Sequence, residues 1–149
     1  MMPQCTIKAL FMAIFLAGIT LAQGKAQQPY QPMRGTAERT AILNAVRPKI
    51  EAEMRGPVIF VVRTLRVLDG WAFMQLDPQR PDGRPINPAN TIWADDIEMM
   101  DGLTVWALAR NSTGGWGLVD AVTGPTDVAF FNWPEFYGAP AVIFGFESP

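Results

Sequence analysis

Residues 58–76 read VIFVVRTLRVLDGWAFMQL, and this stretch decides the fold. Val58–Leu68 is dense in β-branched and aromatic residues, Asp69-Gly70 is a favoured two-residue turn, and Trp71–Leu76 returns. The turn sets the register, with Leu68 opposite Trp71, Arg66 opposite Phe73 and Leu65 opposite Met74. Strand side chains alternate between faces, so parity sorts the rest. One face takes Ile59, Val61, Leu65, Val67, Ala72, Met74 and Leu76, with Arg63 as the exception. The other takes Phe60, Val62, Thr64, Arg66, Leu68, Trp71, Phe73 and Gln75. Both faces are apolar enough to need cover.

Upstream, Thr36–Met54 (TAERTAILNAVRPKIEAEM) predicts a helix. Ile42, Leu43, Val46, Ile50 and Met54 recur at spacings of three and four, forming one apolar stripe. Arg39, Arg47, Lys49, Glu51 and Glu53 fall off it. Thr36 is the expected N-cap, Gly56-Pro57 the stop, and Pro48 an expected kink. Downstream, Asp77–Asn90 carries four prolines and Asp82-Gly83 and predicts a long surface loop. Ile92–Asp101 is ambiguous and acidic. Leu103–Arg110 and Trp116–Thr123 predict a second hairpin around Asn111–Gly115, with Arg110 facing Trp116. Leu103, Val105, Ala107, Ala109, Gly117, Val119 and Ala121 then share a side of mostly small residues, on which a helix can lie closely. Trp106, Leu108, Arg110, Trp116, Leu118, Asp120 and Val122 take the other. After Gly124-Pro125 the chain is rich in aromatics (Phe130, Phe131, Trp133, Phe136, Tyr137, Phe144, Phe146), with Thr126 or Asp127, and Asn132, as candidate helix caps. Helix, hairpin, hairpin and aromatic tail predict an α+β fold: one N-terminal helix on an antiparallel sheet of about four strands.

Composition narrows the chemistry. The chain has 149 residues, 49 % hydrophobic, with one cysteine, no histidine and a formal charge of −2. That length and apolar content fit one globular domain. Without histidine there is no serine–histidine or cysteine–histidine catalysis and no histidine-ligated metal. The charge offers no footprint for nucleic acid. No cofactor motif is legible, and Gly114-Gly115 lacks the lysine and following helix of a phosphate loop.

The N-terminus carries an address. Lys8 precedes an apolar run, Ala9–Ala22, followed by small residues spaced for signal peptidase up to Ala26. The run is too short for a bilayer span of about 20 residues. Residues 1–26 therefore predict a secretory signal, 27–35 a disordered leader, and 36–149 the domain. Cleavage removes Lys8, Lys25 and Cys5, leaving a more acidic chain that has no cysteine and no membrane span. Asn111-Ser112-Thr113 formally matches a glycosylation acceptor and reads as a turn.

Candidate sites follow from the register. Arg66, Trp71, Phe73, Trp106, Arg110 and Trp116 share one sheet face, combining large apolar area with fixed donors, the mix found in binding hot spots. The aromatic tail also needs cover, and this face is the obvious place for it. Asp95, Asp96, Glu98 and Asp101 invite a calcium reading but match no calcium-loop spacing, which leaves a solvated loop. Asp120, opposite Trp106 in the strand pattern, is the candidate acid or base, or else the partner of Arg110 or Arg66.

Three segments, Arg39–Pro48 (RTAILNAVRP), Gly70-Trp71-Ala72-Phe73 and Gly124–Val128 (GPTDV), resemble an uncharacterised family of small exported bacterial proteins. The similarity runs from about Arg39 to Pro140 and implies export without implying an activity. The helix-then-meander order is also similar to cystatin-like and NTF2-like folds. NTF2-like enzymes use a pocket acid, a role that resemblance would give to Asp120. The resulting expectation is a periplasmic or secreted, non-catalytic binding or inhibitor-like module that takes an envelope protein or a small ligand. The alternatives are an NTF2-like enzyme and a homodimeric structural envelope protein.

Overall fold

The computed structural model describes residues 27–146, so the expected signal segment, with Cys5, lies outside the described residues. Helix α1 spans Ala37–Glu53, and the Thr36 side chain caps it by accepting from the Arg39 amide at 3.3 Å. Pro48 sits inside α1 without ending it. The end is a Schellman arrangement: Gly56 N–H donates to Glu51 O at 3.0 Å and Arg55 N–H to Ala52 O at 3.3 Å. This closure puts Arg55 at φ 50°, where a side chain is strained. Arg55→Gly is expected to raise stability by roughly 0.5–1 kcal/mol, the left-handed penalty less glycine's added unfolded-state entropy. Urea unfolding reads this, and an unchanged or lower midpoint contradicts it.

The buried stripe of α1 is broader than its apolar residues. Ile42, Val46, Ile50 and Met54 are buried, and so are Arg39 and Glu53, correcting the reading that put those two off the stripe. Both lie in phase with it, and each finds a polar partner. Glu53 accepts from Thr123 Oγ1 at 2.5 Å and pairs with Lys49, while Arg39 Nη1 donates to Pro32 O at 3.0 Å. A buried polar group is tolerated when its hydrogen bonds are made.

Four strands follow, β1 (Ile59–Leu68), β2 (Trp71–Gln79), β3 (Val105–Ser112) and β4 (Gly115–Thr123), in an antiparallel meander of order β1-β2-β3-β4. The first hairpin pairs Leu68 with Trp71, Arg66 with Phe73 and Leu65 with Met74, as the Asp69-Gly70 turn requires. Farther along, Arg63 is an extra residue, a bulge between the pairs Val62–Leu76 and Thr64–Gln75. A one-residue insertion flips every side chain beyond it. Phe60 and Val62 therefore pack on the helix side and Ile59 and Val61 face solvent, the reverse of unbroken parity. Strand β2 runs on through Pro78 to Gln79, and a bridge from Gln79 to Pro85 closes the turn at Gly83, shortening the expected loop.

The second hairpin turns tightly at Thr113-Gly114, so Trp116 pairs with Asn111 and not with Arg110. A bulge at Val119, between Leu108–Asp120 and Ala109–Leu118, then restores the expected parity. Between turn and bulge the sides are exchanged. Trp116 and Leu118 pack toward the helix, and Val119 toward the opposite face.

Helix α1 lies across β3 and β4, where Ala107, Ala109 and Ala121 keep the sheet surface low enough for close approach. The C-terminal segment covers the other face with helix α2 (Trp133–Tyr137) and a 3-10 turn at Ala141–Phe144. Asn132 stands at the N-cap position of α2 without a side-chain cap bond, and no helix starts at Thr126 or Asp127. The sheet is thus the shared middle layer of two apolar cores. The stretch read as a loose leader is held in place: Tyr30 and Val67 exchange backbone bonds of 2.9 and 2.8 Å, and Pro32 is buried. The free edge of β1 offers those groups, and Arg39 fixes Pro32 from the helix. No helix among the described residues is long and apolar enough to cross a membrane.

Candidate functional site

The sheet brings five of the six singled-out residues onto one face. Strand β1 supplies Arg66, β2 supplies Trp71 and Phe73, and β3 supplies Trp106 and Arg110. Trp116 lies on the other face with the helix core, because the tighter turn shifts it by one residue. The tail occupies what would have been a surface. Phe130 and Phe144 each stand 4.8 Å from the Phe73 ring, Trp133 meets it edge-on at 6.5 Å, and Phe130 lies 4.7 Å from Trp106. Phe73 is 1 % exposed and Trp71 6 %. Arg66 donates to Ile143 O at 3.4 Å, and the Arg110 guanidinium lies 4.5 Å over the Trp71 ring. These aromatics are a core, and Arg110 on its rim is what remains exposed.

Asp120 is half-buried beside this core and accepts a 2.7 Å hydrogen bond from the Tyr137 hydroxyl. It pairs with neither Arg110 nor Arg66. The carboxylate that an acid–base mechanism would need is therefore engaged by a phenol. Tyr30 makes the same contact with Glu38, also at 2.7 Å. In both tyrosines the hydrogen bond to the carboxylate, then partial burial, then repulsion from the carboxylate's charge raise the phenol pKa above its ordinary 10.0. The sign follows: the neutral phenols stabilise the fold below pH about 10, and this contribution is lost as pH rises through the elevated folded values. Stability measured across that window is expected to fall with pH, less steeply in Tyr30→Phe and Tyr137→Phe. A profile identical in both variants contradicts the assignment.

The acidic stretch sits in turns, with Glu98 in the 3-10 turn Ile97–Met99. Among the described residues no group of three or more acidic, cysteine or histidine side chains is placed to hold a metal ion. Gly114 belongs to the hairpin turn.

A different place combines charge with space. Where the leader departs from β1 to enter α1, it leaves a groove of about 700 Å³. Arg34, Arg39 and Thr40 line it together with Met33, Leu43 and residues 60–62 of β1. Among the described residues, no acidic one lines it. Arg39 is 9 % exposed, and no carboxylate pairs with it among the described residues. The signal was present in the sequence: Arg39 precedes Ile42 by three positions, in phase with Val46 and Ile50. A stripe counted from apolar residues alone passes over it. Neither the protein-family models, nor the curated proteins, nor the solved structures contain a match to this chain.

Proposed function

We propose that this protein is a non-catalytic binding module exported to the bacterial envelope, and that its ligand site is the groove between the start of α1 and the first half of β1. The observation that carries this reading is the meeting of an arginine, 9 % exposed and paired with no carboxylate among the described residues, with an apolar wall in one concavity of about 700 Å³. That volume lies in the range of small-molecule sites, which are mostly apolar with a few fixed polar groups. The signal-like residues 1–26, and the resemblance to a family of small exported proteins, support the location. The engagement of Asp120 by Tyr137 weighs against an acid–base enzyme.

The test is a chemically diverse small-molecule screen read by amide chemical shifts. Hits are expected to move residues 33–43 and 60–62 together. Hits confined to the surroundings of Asp120 and Trp106 would overturn the reading. Export is tested on the full chain in a bacterial host: a periplasmic product whose mass places its start near Gln27 supports it, and a full-length cytoplasmic product refutes it.

A further inference from the structure

Granted that the groove is the ligand site, on which this inference rests, its residues also define the ligand's chemistry. A guanidinium has five N–H donors in a planar fork that matches a carboxylate, and it stays charged at any working pH. Arg39 gives one hydrogen bond to Pro32 O and meets no counter-charge among the described residues, although it is nine-tenths buried. None of the Arg39 nitrogens is both buried and without a partner, so its remaining N–H donors reach solvent at the groove that Arg39 lines, where an anionic ligand can accept from them. Arg34 adds a second, exposed cation on the rim. The wall opposite is apolar because the Arg63 bulge turns Phe60 and Val62 toward the helix side, where Leu43 joins them.

We propose that the groove binds a small amphiphilic monoanion, a carboxylate carried on an apolar chain. Its head group lies at Arg39 and Arg34 and its body lies along Leu43, Phe60 and Val62. A hydrophilic polyanion fits less well, because it would leave the apolar wall of Leu43, Phe60 and Val62 without a partner.

The experiment titrates decanoate, decanol and inorganic phosphate separately into the protein below micellar concentrations, with amide shifts as readout. Decanoate is expected to move residues 33–43 and 60–62. Decanol, which keeps the chain and loses the charge, is expected to bind about tenfold to a hundredfold more weakly, the range for a hydrogen-bonded charge. Arg39→Gln is expected to weaken decanoate over the same range. Because Arg39 is buried, its replacement puts folding itself at risk. Arg34→Gln on the exposed rim is therefore the second variant, with an expected loss of a few-fold and an unchanged thermal midpoint. Decanol binding as tightly as decanoate overturns the anion inference and leaves the groove as a binding site. Phosphate binding at least as tightly as decanoate also overturns it. No shift in the groove with any probe removes both the inference and the groove reading.

Discussion

Replacing Phe73 with alanine is expected to lower the unfolding free energy by about 3–5 kcal/mol, the cost of emptying a large aromatic site in a core. Phe73 is the hub of the tail-side core. Its ring is stacked with Trp106 at 5.7 Å and touches Phe130, Phe144 and Trp133, each delivered by a different part of the tail or sheet. Three of those partners come from the tail, so the vacated space opens at the seam between two layers and cannot close by moving one side chain. A domain has on the order of 5–15 kcal/mol of stability in all, so the variant should be marginal. Phe136, 78 % exposed on α2, is the control, and its change to alanine should stay within about 0.5 kcal/mol. Urea midpoints for the two variants decide the matter. A Phe73→Ala loss below about 1 kcal/mol would mean that the tail does not pack on the sheet.

The second large effect belongs to Gly124, which joins the end of β4 to the tail. Its φ is 62°, and its amide donates to Thr104 O at 2.7 Å, which pins the chain. A Cβ there would fall far inside van der Waals contact with both Met100 Cε and Gly102 O. The methionine end can swing away, but the backbone carbonyl cannot. Gly124→Ala therefore combines a left-handed penalty of about 1–2 kcal/mol with overpacking of about 1–3 kcal/mol, a loss of roughly 2–5 kcal/mol. Gly138 separates the two causes, having φ 72° and nothing within 4 Å of its added Cβ. Gly138→Ala should show the left-handed penalty alone. Equal thermal shifts for the two variants would contradict the close approach at Gly124.

The elements legible in the sequence were those specified locally. The Thr36 cap, the Gly56 stop and the Asp69-Gly70 turn each act over a few residues, and each fixes an element or register that the structure displays. The need to cover the aromatic tail was legible in the same way, since so many rings in one short segment must be buried somewhere. The misplacements have a shared cause, a single residue of register. The bulge at Arg63 was already marked by a charge at an apolar parity position, and reading that mismatch as a slip would have placed Phe60 and Val62 correctly. At the second hairpin, Asn111–Gly115 allows more than one turn. The two-residue choice moved Trp116 off the face to which it had been assigned. The groove was hidden for another reason: it depends on where residues 31–35 lie against β1, a contact between segments far apart in sequence.

The two places where the strand ladder slips, Arg63 and Val119, both fall on the outer strands, and neither falls on β2 or β3. An open sheet presents a row of unpaired backbone groups at each side, which can template the addition of another chain. A newcomer pairing with β1 would lose step at the charged Arg63, and would meet Tyr30 already seated at Val67. On β4 it would lose step at Val119. The sheet therefore ends at both sides in irregularity, which works against the addition of further strands edge to edge.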